Sequence, residues 1–283
     1  MFIAYGQQGL RIASSDGRTW SEPIVEKNNY YFRGCEFAKG SFLTFATYGG
    51  KMLFFSSPDG MNWEQQSEHE VDGRMYDIAY GADRYLLVGG NTDGHWTTVM
   101  ISKDGTHWEG PTKFDKQPLL LRVAYGNDQF VAVGVKGRVA VSKDGTEWKD
   151  AEALPELDTF IDIAYGNGVY VGAGLHGLRM TSEDGLVWTS REVGREGEHI
   201  NSLLWTGQQF VGVGLGATYF SADGRSWRRV ENENAPESCT YGDGLYLGSA
   251  WKGRVLISED AIHWQELFRA PEHVNGIAYG ATS

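Results

Sequence analysis

Ser14-Ser-Asp16-Gly17-Arg-Thr-Trp20 is the first copy of a pattern, Ser-x-Asp-Gly-x-x-Trp, that decides how the chain folds. It returns at Asp59/Trp63, Asp104/Trp108, Asp144/Trp148, Asp184/Trp188, Asp223/Trp227 and Asp260/Trp264, and only the last copy departs, with Ala261 in the Gly position. Successive Asp residues are 43, 45, 40, 40, 39 and 37 residues apart. That spacing is the size of one four-stranded propeller blade. Within each copy, Asp and Ser can accept hydrogen bonds from backbone N–H groups just ahead. Gly supplies the positive φ of a tight hairpin, and Trp anchors the outer strand through its large apolar surface.

Between the boxes lies a second motif: Ile78-Ala-Tyr-Gly81, Val123-Ala-Tyr-Gly126, Ile163-Ala-Tyr-Gly166 and Ile277-Ala-Tyr-Gly280, with weaker forms at Cys35-Glu-Phe37, Leu203-Leu-Trp205 and Cys239-Thr-Tyr241. Five residues beyond each internal aromatic, another aromatic (Phe42, Tyr85, Phe130, Tyr170, Phe210, Tyr246) opens an apolar run. Each blade therefore reads as a meander of strands A (Ile-Ala-Tyr-Gly), B (Tyr-Val-x-Val-Gly), C (Arg-Val-x-Val-Ser) and D, which starts near the Trp. The chain begins on a strand B, Phe2-Ile-Ala-Tyr-Gly6, and ends on a strand A, Val274-Asn-Gly-Ile-Ala-Tyr-Gly280. The expectation is an all-β, closed seven-bladed β-propeller of four-stranded antiparallel blades, in which the C-terminal strand joins the N-terminal blade and removes the exposed edges of a linear array. It forms a single domain over 1–283. Blade 1 is 1–20 plus 274–280, and blades 2 to 7 cover about 34–66, 77–110, 122–150, 162–190, 202–230 and 238–267.

The box resembles the Asp-box, or BNR-repeat, of sialidase-like propellers, and the resemblance spans the whole chain. It is a variant, because the family places one residue between Asp and Gly, whereas here they are adjacent in six copies. In that family the boxes are structural turns away from the active site, so the resemblance implies fold and not activity; the sialidases themselves have six blades. A sialidase-like mechanism would need three arginines on a carboxylate, a Tyr paired with Glu, and an acid. Arg33, Arg74, Arg122, Tyr76, Glu36 and Asp77 supply the types without matching the family's spacing.

Composition narrows the function. There are 25 Lys+Arg against 37 Asp+Glu, a formal net charge of −12. This argues against nucleic acid and anionic membranes, which demand basic patches. Gly is abundant (38) and Pro scarce (7) beside 10 Trp, 14 Tyr and 13 Phe, as tight turns between aromatic strands require. No apolar run approaches the ~18 residues of a membrane span, so no membrane insertion is expected. The N-terminus lacks the parts of a signal peptide. The compartment stays open: cytoplasmic as the chain stands, secreted or periplasmic if a leader has been removed. Cys35 and Cys239 both fill strand A positions, two blades apart, and read as free thiols. The seven His show no metal-ligand pair, and neither a phosphate-cradling Gly loop nor a nucleophile elbow is present. No cofactor or metal is expected.

A function can reside where the copies differ. The D–A and B–C loops share one face, the A–B and C–D turns the other, and the turn face is uniform. From the strand B aromatic to the box Asp is 13 or 14 residues in five blades, but 17 in blade 2 (Phe42 to Asp59) and 19 in blade 3 (Tyr85 to Asp104). The extra residues fall at Thr47-Tyr48-Gly-Gly50 and Asn91-Thr-Asp-Gly-His95-Trp96. Arg33, Arg74 and Arg122 stand at the mouths of strand A in blades 2 to 4, beside Tyr76, Asp77 and Asp162. Glu36 fills a position that is Ala79, Ala124, Ala164 and Ala278 elsewhere. Trp96 and Trp251 are loop tryptophans that no repeat position requires, and so are candidate stacking platforms. The candidate binding set is Arg33, Glu36, Tyr48, Arg74, Tyr76, Asp77, His95, Trp96, Arg122, Asp162 and Trp251, with no catalytic residue nominated. The sequence favours a non-enzymatic, monomeric binding or scaffold propeller that recognises a peptide, glycan or protein partner on the D–A/B–C face. The alternative is a glycan-acting hydrolase or lyase using the same cluster.

Overall fold

The computed structural model describes residues 1–26, 28–91, 96–115 and 117–281. Strands meander antiparallel in sequence order, forming the seven blades of a β-propeller with each strand A innermost. Blade 2 runs Tyr31–Ala38, Ser41–Tyr48, Lys51–Ser57 and Glu64–Glu70. The ring closes as its spacing requires: Val274–Tyr279 pairs antiparallel with Phe2–Gly6, in a register that sets Phe2 opposite Tyr279. Met1 and Gly280 exchange backbone hydrogen bonds of 3.0 and 2.9 Å. The A-to-B aromatic pair recurs in every blade with ring centroids 4.7–4.9 Å apart, from Phe37–Phe42 and Tyr80–Tyr85 round to Tyr279–Phe2. The last of these pairs joins the two ends of the chain.

Six sheets have four strands. Blade 1 has three regular ones, and its outer place is taken by an irregular segment over residues 21–26. Ile24 exchanges both backbone hydrogen bonds with Arg11, and Ser21 donates to Ala13. The buried Arg11 guanidinium forms an ion pair with Glu26 beneath the rings of Phe32 and Phe55. A continuous ladder is blocked at Pro23, which has no N–H to donate.

The boxes are turn devices. In the first, the Asp16 carboxylate accepts the N–H groups of Arg18 (2.8 Å) and Thr19 (2.7 Å). The N–H three residues ahead holds Asp59, Asp104, Asp184 and Asp223 below the usual carboxylate range in the same way. Six of the box tryptophans donate their indole N–H to the carbonyl of the residue in the Gly position at 2.8–3.1 Å. Trp20 alone does not; its nitrogen is buried and unpartnered, and its ring packs on Phe268 of blade 7 instead, 5.4 Å away.

The Ile-Ala-Tyr-Gly motif belongs to two blades at once. A Cβ on Gly81, Gly126, Gly166 or Gly242 would lie 2.0, 2.1, 2.2 or 2.2 Å from a ring atom of Tyr125, Tyr165, Trp205 or Tyr279 in the next blade. The Gly of one blade is thus the seat for the aromatic of its neighbour, and the two positions are coupled around the ring.

Candidate functional site

The axis is shaped by a β-bulge that recurs in strand A. In six of the seven blades the A–B register slips just before the Ile-Ala-Tyr position, leaving Asn275, Arg33, Tyr76, Leu121, Ile161 or Asn201 unpaired. A bulge puts two neighbouring side chains on one side of the strand and re-aims them. The Gly that ends strand B makes room for it: a Cβ on Gly89, Gly134, Gly174 or Gly214 would sit 1.7–2.1 Å from a carbonyl oxygen of the bulged strand.

Four of these positions, Arg33, Tyr76, Asn201 and Asn275, reach a cavity of about 300 Å³ at the axis, open on the D–A/B–C face and lined by Arg33, Tyr76, Asp77, Arg122 and Asp162 of the nominated residues. Asn201, Ser202, Glu237, Ser249, His273 and Asn275 line it too, beside Tyr5, Ser238, Cys239, Val274 and Ile277. Sequence reasoning did not nominate these. Ser202 occupies the same position as Asp77 and Arg122, a signal that was available. Asn201 and Asn275 reach the cavity only through the bulge, which leaves no mark in composition.

Part of the cavity wall is structural. The Asp77 carboxylate accepts the Val123 N–H of the next blade at 2.9 Å, Asp162 accepts Leu203 N–H at 2.7 Å, and Ser202 Oγ accepts Cys239 N–H at 2.9 Å. Arg122 lies between the two carboxylates, its Nε 4.0 Å from Asp162. Burial pushes Asp77 up to about 6 and raises Asp162, against the pull of Arg122. Glu36, between blades 2 and 3, is pushed up to about 8 by burial and by the like charge of Asp77, although it accepts the Tyr80 N–H.

That shift has a measurable consequence. Below the ordinary glutamate range both folded and unfolded chains hold the proton, so Glu36 contributes nothing there. As pH rises from about 4.5 to about 8 the unfolded chain releases a proton that the folded chain keeps, and stability falls until it levels off above 8. Glu36→Gln, which keeps a carbonyl for Tyr80, is expected to match the parent at pH 4 and to exceed it by about 1–2 kcal/mol at pH 9, after discounting for channel solvent. Chemical denaturation at the two pH values checks this. A gap of the same size at pH 4 would assign the gain to packing.

Arg33 is placed differently. Its guanidinium lies 4.3 Å from the Tyr31 ring centroid and 5.7 Å from that of Tyr76. Burial lowers its pKa, and Arg74 and Arg122 add like-charge repulsion. Arg74 itself is exposed and lines a separate rim groove with Tyr48, Gly49 and Gly50. The three arginines therefore do not line one cavity, and Glu36 faces a backbone amide where a sialidase-like site would pair it with Tyr76.

The two insertions also depart from expectation. Thr47 and Tyr48 extend strand B of blade 2, because Gly49 and Gly50 turn the chain in two residues at φ 57° and 82°. Trp96 opens strand C of blade 3 and is half-buried, with Lys113 Nζ 4.9 Å over its ring. His95 lies outside the described residues. Trp251 is 63% exposed and leans on His273, ring centroids 5.2 Å apart. Cys35 and Cys239 are free thiols.

No family model matches the chain, and no curated protein matches it. Solved structures do. YCF48 bound to D1 peptide is 16% identical, with 94% of this chain and 85% of that chain covered at a TM-score of 0.63. Virginiamycin B lyase from Staphylococcus aureus is 9% identical over 85% and 84% at 0.68. The WD40 β-propeller domain of Doa1 is 11% identical over 87% and 85% at 0.65. Likeness at these identities establishes the propeller fold and nothing finer, since one fold carries unrelated functions.

Proposed function

We propose that this propeller is a non-enzymatic binding module that docks a peptide or protein partner on its D–A/B–C face. One observation carries the reading. Of the seven large apolar side chains exposed among the described residues, Tyr48, Leu157, Val193, Leu215 and Trp251 stand on loops or strand ends of this face, and only Met61 and Val187 lie in the box turns. Apolar and aromatic residues gathered on one face mark interaction surfaces. The nominated carboxylates Asp77 and Asp162 are committed to backbone amides, which disfavours the glycan-acting alternative. YCF48, a neighbour in fold, was solved with a peptide bound, which is compatible with a partner of this class.

A peptide array, followed by affinity measurement on the hits, tests it. The Trp251→Ala/Leu215→Ala variant is expected to weaken binding roughly tenfold or more, because exposed aromatic anchors carry most of an interface's energy. Met61→Ala/Val187→Ala on the opposite face is expected to leave it unchanged. Hits that bind the first variant as tightly as the parent would refute the face.

A further inference from the structure

We propose that the axial cavity is also a small-molecule site, and that it takes a compact zwitterion of the free α-amino-acid type, with the carboxylate on Arg33 and the ammonium on Glu237. The argument is one of charge accounting. Around the axis Arg122 is paired with Asp162 and lies in the field of Asp77, and those carboxylates are held by backbone amides. Elsewhere, buried or half-buried arginines such as Arg11, Arg138, Arg179 and Arg229 each have a carboxylate partner. Among the described residues, Arg33 and Glu237 are the two charged side chains lining the cavity that have neither an ion pair nor a side-chain hydrogen bond. Two further polar atoms there are buried without partners, Arg33 Nε and His273 Nδ1.

Arg33 and Glu237 occupy equivalent places, each one residue before the strand A position held by Gly34 and Ser238. Both line the cavity, so the cation of blade 2 and the anion of blade 7 share one opening, with Asn275 of blade 1 between them in the ring. A volume of about 300 Å³ is at the lower end for ligand pockets and suits a small metabolite. A simple amine on Glu237 would leave the largely buried Arg33 without a partner, which is costly, and a simple carboxylate on Arg33 would leave Glu237 at the opening unpaired. A molecule with both charges pairs both walls, and the hydroxyl and amide groups of Ser202, Ser249 and Asn201 offer hydrogen bonds to the remainder. This site depends on cavity charges and not on the apolar rim, so either reading can fail alone.

The test is isothermal titration of the full chain with each of the twenty free L-amino acids, beside propionate, ethylamine and glycerol. At least one amino acid is expected to bind, with propionate and ethylamine roughly 30-fold or more weaker. Glu237→Gln, at an exposed position that leaves the melting curve unchanged, is expected to weaken the amino acid by a similar factor and to narrow its advantage over propionate. Arg33→Gln should abolish binding of the amino acid and of propionate alike. The proposal is overturned if no amino acid gives heat, if propionate or glycerol binds as tightly as the best amino acid, or if Glu237→Gln binds as the parent does.

Discussion

A chain ended at Glu272 is expected to lose cooperative unfolding altogether. The strand Val274–Tyr279 is the innermost strand of blade 1 and the sole partner of Phe2–Gly6 on that side. Removing it uncovers Phe2 and Ile3, both fully buried, and deletes Val274 and Ile277, also buried. It also strips Gly242 of the Tyr279 ring that covers it and leaves strand A of blade 2 without its neighbour. Each large apolar side chain contributes about 1.5–3 kcal/mol when buried. Four or five of them amount to roughly 10 kcal/mol, comparable with the whole stability of a typical domain. The measurements are thermal melting by circular dichroism and size-exclusion chromatography. The truncated chain should be expanded or aggregated and melt without a sigmoid, and a synthetic peptide of residues 273–281 added in trans should restore part of the transition. A truncated chain that melts cooperatively within a few degrees of the parent would show that the ring does not depend on this closure.

Gly126→Ala should be strongly destabilising for a single added methyl. Nothing in this Gly's own backbone forbids alanine, because its φ is not positive, and in such a strand Ala would ordinarily help by reducing the entropy of the unfolded chain. The cost comes from the neighbour: the new carbon would stand 2.1 Å from the Tyr165 ring. That ring cannot simply move aside, since it packs at 4.7 Å on Tyr170, whose hydroxyl donates to the carbonyl of Gly126 itself. Overpacking of this kind costs about 1–3 kcal/mol and occasionally more, so a loss of about 3 kcal/mol and a fall in Tm of roughly 5–8 °C are expected. A double-mutant cycle separates the cause. On a Tyr165→Ala background the same substitution should cost under about 1 kcal/mol. A single variant as stable as the parent would mean that the seat can relax and that the motif has another origin.

The candidate site was half legible before any coordinates. Asp77, Arg122 and Asp162 stand out as charges just before the Ile-Ala-Tyr motif, at the mouth of strand A where the copies differ, and all three line the axial cavity. Arg74 was chosen on the same ground, yet it starts its strand two residues before the bulge and lines the rim groove. Trp96 was singled out as surplus to the repeat, but the inserted residues of its blade are spent partly on a longer strand, and a lysine covers it. Asn201 and Asn275 carried no flag, because a one-residue slip in pairing register decides which way they point, and Glu237 lies outside the strand motif altogether.

Blade number and strand order were written in the amino-acid order alone, because they rest on pairings between nearby strands repeated about every forty residues, and ring closure was written in the complementary half-blades at the two ends. The axial cavity, the displaced Trp20 and the unmatched charges of Arg33 and Glu237 belong to the tertiary structure. They arise where side chains from sequence positions some forty residues apart, or from opposite ends of the chain, are brought together at the axis or across a blade boundary. Which charge finds a partner there depends on distances that no local pattern encodes.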